Sequence, residues 1–170
     1  LPGLGLMNVY GATETAAGVT VMPAVETAAN RDSVGRIVPC ADIRIMDADG
    51  REVPAGETGE LWIAGPTVVK GYWNNPAATA ENFTGGYWHS GDLGSIDAQG
   101  FVRVFDRKKD MINRGGYKIY TAEVENALSE HLGVVESAVV GKPCPVLGER
   151  VHAFVTLRDA AVTAEALKGF

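Results

Sequence analysis

The sequence predicts an α/β (α+β) fold, in which a strand-rich first part is followed by a smaller part of mixed helices and strands. Short stretches of alternating apolar and polar residues recur over about the first hundred residues, with turn residues between them. After Lys109 the pattern becomes an amphipathic helix followed by two strands. The charged segment at residues 106–110 separates the two regions, so we place domains at residues 1–108 and 109–170.

The strands of the first part are predicted from period-two alternation, which is typical of strands with one buried face. Residues 6–10 are predicted to form the first of them. The clearest alternations pair Ile43 with Ile45, Leu61 with Ile63, and Val102 with Val104. The connectors at residues 47–50, 54–56 and 97–100 contain Asp, Pro and Gly, which favour tight turns.

Two helices are predicted from their starting signals. Asn75 followed by Pro76 supplies an N-cap and a first helical residue, so we expect a short helix that ends near Phe83. In the second part, Thr121 is predicted to cap a helix with three apolar residues on one face. These residues are Val124, Leu128 and Leu132.

The second part continues with two predicted strands, at residues 136–141 and 151–157. Thr163 is then predicted to cap a further helix that is still continuing at Phe170. We therefore expect the second domain to be truncated.

Composition limits the class of protein. Hydrophobic residues make up 46% and charged residues 21% of the 170 residues, which is an ordinary globular balance. No apolar run is long enough to span a membrane. The net charge of −6 argues against nucleic acid as a partner. Cys40 and Cys144 are far apart and lack metal-ligand spacing, so we expect buried, reduced thiols and a cytoplasmic protein.

Positive charge is concentrated in one segment of this acidic chain. Between residues 107 and 118 the only acid is Asp110, against five basic residues: Arg107, Lys108, Lys109, Arg114 and Lys118. Such a cluster suits a compact polyanion such as a nucleotide or the phosphates of coenzyme A. A solvated charged turn is the simpler interpretation of a charge run on its own.

The first candidate motif is YGATET at residues 10–15. Tyr10 offers an aromatic face for a base, and the small residues that follow allow backbone to approach a ligand closely. Thr13 and Thr15 offer hydroxyls, and Glu14 offers the hard oxygen donor that Mg²⁺ prefers. Taken alone, these residues favour an ordinary strand–turn–helix junction.

The second candidate motif is HSGDLG at residues 89–94. The carboxylate of Asp92 can accept two hydrogen bonds at once, which suits the paired hydroxyls of a ribose. A turn aspartate is the alternative. His89 is better interpreted as a structural histidine than as a general base.

The third motif, DRKKDMINRGGYKIY at residues 106–120, makes the set specific. In this order, and together with ETGEL at 57–61 and KGYW at 70–73, the motifs resemble the AMP-forming adenylating enzymes. This superfamily comprises acyl-CoA synthetases, luciferases and peptide-synthetase adenylation domains. The resemblance covers nearly the whole chain and implies a distorted-barrel-like portion of a large domain, followed by part of a small mobile domain.

The resemblance implies a role for each matching residue. Tyr10 would stack on adenine, Thr13 would contact the α-phosphate region, and Glu14 would bind Mg²⁺. Asp92 and Arg107 would share the ribose. The implied nucleotide-binding set is Tyr10, Gly11, Ala12, Thr13, Asp92 and Arg107, and the implied catalytic set is Thr13, Glu14 and Lys109.

In this family the small domain swings about a hinge two residues after the ribose-binding arginine, which corresponds to Lys109. The rotated state would bring Gly115, Gly116 and Tyr117 to the active site as the path for coenzyme A. A glycine pair suits that path because a side chain would block the pantetheine arm.

The sequences HSGD at residues 89–92 and DMINRGG at residues 110–116 resemble the matching motifs of fatty and aryl acyl-CoA synthetases more than those of peptide synthetases. The implied function is an ATP-dependent ligase of a fatty acid and coenzyme A, with ATP/AMP, Mg²⁺ and coenzyme A as cofactors and co-substrates.

In this family the phosphate loop would precede residue 1 and the adenylating lysine would follow residue 170, so we expect this chain alone to be inactive. An enzyme that loads a carrier protein and a non-catalytic nucleotide-binding module remain alternatives.

Overall fold

The computed structural model describes residues 4–158 and 162–170, and the chain divides into two compact units. The first unit is Leu1–Val104 and the second is Phe105–Phe170, so the boundary falls within the last strand of the first sheet, at Phe101–Arg107. Within the described residues, no helix is long and apolar enough to cross a membrane.

The first unit is built on an eight-stranded sheet with short helices at its connections. The strand order is β1-β2-β3-β8-β7-β5-β4, and β6 pairs with β7 beside this path. The strands are β1 (Asn8–Gly11), β2 (Gly18–Met22), β3 (Gly35–Ile37), β4 (Asp42–Met46), β5 (Gly59–Ala64), β6 (Phe83–Thr84), β7 (Tyr87–Ile96) and β8 (Phe101–Arg107). The helices are a 3-10 turn at Thr13–Thr15, α1 (Ala24–Thr27) and α2 (Pro76–Asn82).

The core of the first unit is formed by the alternating apolar residues of these strands. Ile43 lies opposite Ile63 and Ile45 lies opposite Leu61 in the antiparallel β4–β5 pair. All four are buried and pack with Val19, Trp88 and Val102. The period-two prediction is therefore confirmed for β4 and β5. In β8 it holds less well, because Phe101 and Val102 are both buried.

The predicted start of α2 is also confirmed. The Asn75 side chain accepts a hydrogen bond from the Ala78 amide at 3.1 Å, and Pro76 is the first helical residue. The side-chain oxygen satisfies one of the amides that a helix start leaves without a partner. The helix ends at Asn82, one residue before the predicted limit.

The second unit is a four-stranded sheet in the order β10-β9-β12-β11, with two helices. Its elements are β9 (Ile112–Arg114), β10 (Tyr117–Ile119), α3 (Thr121–Ser129), β11 (Val134–Cys144), β12 (Gly148–Leu157) and α4 (Ala164–Lys168). Both predicted strands are present and are longer than expected. The mixed, strand-rich fold predicted from the sequence is thus confirmed.

Three local predictions for the second unit are wrong. Thr121 is the first residue of α3, and its side chain does not cap the helix; Asp106 supplies the acceptor instead. The helix ends at Ser129, so Leu132 lies beyond it and is 91% exposed. Thr163 does cap α4, accepting from the Ala166 amide at 3.2 Å, but α4 ends at Lys168 and does not continue to Phe170.

The expectation of buried thiols is also wrong. Cys40 is exposed and Cys144 is half-buried, and neither forms a disulfide. Cys40 lies in the connection between β3 and β4, where the chain runs at the surface, and Cys144 is the last residue of β11.

Candidate active site

The first motif forms the end of β1 and a single 3-10 turn. Thr15 is completely buried, and its Oγ1 accepts from the Ala12 amide at 2.9 Å. The same hydroxyl lies 2.8 Å from the Ala17 carbonyl oxygen. Thr13, in contrast, is exposed. The two threonines therefore differ: Thr15 holds the turn together, and Thr13 is the one that can meet a ligand.

Gly11 must be a glycine because of a close approach within the fold itself. A Cβ at this position would lie 2.7 Å from the Ala17 carbonyl oxygen, which no real side chain tolerates. The register of the β1–β2 pair also shifts between Tyr10 and Gly11. The need for glycine is therefore explained by the chain's own backbone, without a ligand.

The second motif forms a bulge in β7. Glu60 of β5 pairs with Leu93, and Trp62 pairs with His89. Between these two pairs β5 advances two residues while β7 advances four, so β7 carries two extra residues around 90–92. Bulges of this kind redirect side chains and are frequent beside active sites. His89 stacks on Trp62 with ring centroids 3.8 Å apart, which agrees with a structural role.

Buried polar groups fix the bulge and the carboxylate that follows it. Gly91 adopts a φ of 72°, which favours glycine, and its amide donates to Glu60 Oε1 at 3.1 Å. The Asp92 amide donates to Ser90 Oγ at 3.0 Å. Glu60, Ser90 and Asp92 are all buried. Asp92 is therefore held rigidly by its neighbours.

The structure brings the first two motifs into direct contact. The hydroxyl of Tyr10 donates to Asp92 Oδ2 at 2.5 Å, across 82 residues of sequence. The residues that the resemblance assigns to adenine and to ribose therefore lie side by side in the first unit.

Glu14 is held by Tyr72, a residue to which the sequence motifs assign no role. The Tyr72 hydroxyl donates to Glu14 Oε1 at 3.0 Å, and Trp88 Nε1 donates to the same hydroxyl at 3.2 Å. Burial, with the negative charge of Glu14 beside it, raises the pKa of Tyr72, so the phenol stays neutral. The only sequence signal for Tyr72 is its place in the KGYW stretch.

The donor set of the first unit suits Mg²⁺ better than a metal that needs several protein ligands. Glu14 is half-buried and presents a carboxylate, the hard ligand that Mg²⁺ prefers. Among the described residues, no three His, Cys, Asp or Glu side chains cluster around a common point. Mg²⁺ is usually bound by one or two carboxylates together with substrate phosphates and water, so a single glutamate fits.

The remaining predicted site residues belong to the second unit and are described by themselves. Arg107, Lys108 and Lys109 are exposed, as are the other two basic residues of the cluster. Just before them, Asp106 Oδ2 accepts from the Thr121 amide at 2.5 Å and from its hydroxyl at 2.8 Å. The basic segment is therefore connected to the start of α3 by a charge-assisted pair of bonds.

Gly115 and Gly116 form the two-residue turn between β9 and β10. Their φ values are 62° and 93°, as a tight hairpin turn requires. The Gly115 amide donates to the Leu147 carbonyl at 2.8 Å, and a Cβ on Gly115 would lie 3.2 Å from the Leu147 side chain. A Cβ on Gly116 would meet nothing within 4 Å. Tyr117, which follows the turn, is 78% exposed.

Family comparisons agree with this arrangement. The family model of the AMP-binding enzymes matches residues 2–73. The model of the AMP-binding enzyme C-terminal domain matches residues 123–170. The two matches follow in the order expected of one enzyme, on either side of the second and third motifs.

Individual relatives match almost the whole chain. A long-chain-fatty-acid–CoA ligase of Yersinia pestis is 42% identical over 98% of this chain, and a feruloyl-CoA synthase of Amycolatopsis is 44% identical over 94%. The chain spans only 30% and 32% of the lengths of these two proteins.

Among solved structures, o-succinylbenzoate CoA synthetase (MenE) from Bacillus subtilis, in complex with the acyl-adenylate intermediate, is similar over 98% of this chain. The TM-score is 0.93 and the identity 34%, and the match covers 34% of that protein. The same synthetase has also been solved with ATP and magnesium. Both family matches, the near-complete coverage by these relatives and the shared fold lead to one conclusion: the chain belongs to the AMP-binding enzyme family.

Proposed function

We propose that the whole protein is an ATP-dependent carboxylate–CoA ligase that acts on a fatty acid in the cytoplasm. The contact between Tyr10 and Asp92 carries the proposal, because it joins an aromatic side chain and a buried carboxylate from two distant motifs. Together these groups offer a stacking face for a base and acceptors for ribose hydroxyls. The identity to long-chain-fatty-acid–CoA ligases supports the choice of substrate.

In the first step an acid oxygen attacks the α-phosphorus of ATP, and the bond to pyrophosphate breaks. Tyr10 and Asp92 hold the nucleoside, and the Thr13 hydroxyl is available to the α-phosphate. Glu14 would hold Mg²⁺, which when bound offsets negative charge on the phosphates. The chain's own contribution is the fixed position of these groups, since positioning lowers the entropy cost of the reaction.

In the second step the thiolate of coenzyme A attacks the acyl carbonyl carbon, and the bond to AMP breaks. We propose that the second unit moves for this step about Lys109, with Arg107 binding ribose. Gly115, Gly116 and Tyr117 would then line the path of the pantetheine arm. The exposed turn formed by the two glycines supports this role, because it presents backbone without side chains.

An aryl acid is the second candidate substrate, favoured by the 44% identity to feruloyl-CoA synthase. A carrier-protein thiol is the other acceptor to be tested. Turnover measured with matched concentrations of a long-chain fatty acid and of ferulic acid decides between the two acids. Acyl transfer measured with coenzyme A and with a carrier domain decides between the two acceptors.

The experiment measures pyrophosphate exchange and acyl-CoA formation by the full-length enzyme. Wild-type protein is expected to show both, and Glu14→Ala is expected to lose pyrophosphate exchange. The 170-residue chain alone is expected to show neither. Full-length protein that binds ATP but never forms an acyl-adenylate with either acid would refute the ligase and favour a non-catalytic nucleotide-binding module.

A further inference from the structure

The Tyr72 hydroxyl lies between an indole donor and a carboxylate acceptor. It donates to Glu14 Oε1 at 3.0 Å, and Trp88 Nε1 donates to it at 3.2 Å. A phenol has one proton to give, and an indole N–H can only donate. The direction of the bonds is therefore fixed from Trp88 through Tyr72 to Glu14.

The position of Tyr72 is set by packing. Its ring meets Phe83 edge-on with centroids 5.7 Å apart, and its amide donates to Thr79 Oγ1 at 2.9 Å. The preceding Gly71 allows this close approach, because a Cβ there would lie 2.5 Å from Thr79 Cγ2. Trp88, which holds the hydroxyl, is only 4% exposed. The hydroxyl is thus presented to Glu14 by a rigid surrounding.

The same segment also holds the main chain of Glu14. The Val69 amide donates to the Glu14 carbonyl oxygen at 2.8 Å. Two bonds from residues 69–72 therefore fix both the backbone and the carboxylate of this residue. The terminal torsion of a glutamate is otherwise broad, so an unsupported carboxylate would sample many orientations.

We propose that Tyr72 is a positioning residue, which orients the Glu14 carboxylate to receive the divalent cation of a bound nucleotide. This inference rests on the proposed function, in which Glu14 is the metal ligand. A neutral phenol suits the task because it fixes one oxygen and leaves the negative charge of the carboxylate intact. A lysine or arginine at the same place would compete with the cation for that charge.

The test compares nucleotide binding by calorimetry in the full-length enzyme, without any acid substrate. Tyr72→Phe is expected to weaken ATP binding in excess Mg²⁺ by roughly tenfold, the effect of one lost hydrogen bond to a charged group. ATP binding in EDTA and AMP binding should stay unchanged. Tyr87→Phe is the matched control, because its hydroxyl also donates to a carboxylate, that of Asp42, on an exposed part of the first unit.

A double-mutant cycle shows whether Tyr72 acts through Glu14. In a Glu14→Ala background, adding Tyr72→Phe should cause no further loss of Mg²⁺-dependent affinity. The proposal is overturned if Tyr72→Phe costs the same tenfold there, if it weakens metal-free ATP equally, or if a normally folded variant keeps wild-type affinity for ATP with Mg²⁺. A wild-type enzyme that makes no acyl-CoA would refute the proposed ligase, and this binding comparison would still decide the role of Tyr72.

Discussion

The Tyr10 hydroxyl donates to Asp92 Oδ2 at 2.5 Å, and this bond joins the end of β1 to the bulge in β7. Asp92 is 7% exposed and its own amide is held by Ser90. A carboxylate so placed keeps its orientation before any nucleotide arrives, which lowers the cost of binding a ribose. Tyr10 and Asp92 are therefore expected to act as one unit.

Asp92→Ala in the full-length enzyme is expected to weaken ATP and AMP to the same extent, by at least tenfold, because both nucleotides carry the ribose. Tyr10→Phe should cause a smaller loss, since the ring remains. Calorimetric titration with each nucleotide measures both effects. Asp49→Ala, which removes an exposed carboxylate of a turn, is the control. Unchanged AMP affinity in Asp92→Ala would show that the ribose assignment is wrong.

A second prediction concerns stability and pH. Arg103 forms ion pairs with Asp97 at 2.7 Å and with Asp32 at 2.6 Å. The hydrogen bond from Arg103 lowers the pKa of Asp97 below its ordinary value. A lowered pKa means that this stabilisation is present above about pH 4, the pKa of an unfolded aspartate, and is lost as pH falls through the folded pKa.

Asp97→Asn should therefore reduce stability at pH 7 by about 1 kcal/mol or less, since the pair is partly exposed. The difference from wild type should shrink below about pH 4. Urea unfolding at pH 7 and pH 3 measures it. Asp49→Asn, which breaks a more exposed ion pair with Arg51, should leave the free energy of unfolding unchanged at both pH values. A difference that persists unchanged at pH 3 would contradict the ion-pair explanation.

Much of the fold follows from local patterns. Strands β4 and β5 follow from alternation because one face is buried, and α2 follows from its capping asparagine. The start of α3 does not follow, because its acceptor is Asp106, fifteen residues earlier. Leu132 matched the helical period but lies past the end of α3. A contact between residues distant in sequence decides the first case, whereas α3 ends in a local turn in which the His131 amide donates to the Leu128 carbonyl at 3.2 Å.

The sequence predicts the motifs that form the site, but it does not predict the contacts between their side chains. Tyr10 and Asp92 belong to separate motifs in the sequence, and only the fold shows that they are bonded. The sequence assigns no role to Tyr72, because nothing in the chain near this tyrosine indicates that its hydroxyl donates to Glu14. In the sequence Thr15 offers a hydroxyl just as Thr13 does, but the fold buries Thr15 completely.

The third prediction tests the bond that starts α3. Asp106→Ala removes acceptors for the Thr121 amide and hydroxyl, and Thr121 is only 6% exposed. Leaving buried donors without partners should destabilise the second unit by about 1–3 kcal/mol. Hydrogen exchange of the first-turn amides of α3 measures the loss. The exposed Asp110→Ala is the control, and equal protection in both variants would contradict the prediction.

The last prediction separates a path for pantetheine from an ordinary turn at Gly116. Leucine there must adopt a φ near 93°, which costs about 1–2 kcal/mol, although its Cβ meets no neighbour within 4 Å. Gly100 is the matched control, with a φ of 81° and equally open space, in a turn of the first unit. Gly100→Leu therefore carries a similar backbone strain without any proposed part in the second step.

If Gly116 lines the path, Gly116→Leu in the full-length enzyme should exchange pyrophosphate at nearly the rate of Gly100→Leu. It should then lose most acyl-CoA formation, because a bulky side chain blocks the thiol arm. If Gly116 is only a turn residue, backbone strain should lower both half-reactions together. Pyrophosphate exchange and CoA-dependent turnover, measured on the same folded samples, distinguish the two: equal losses in both assays mean that Gly116 has no role in admitting pantetheine.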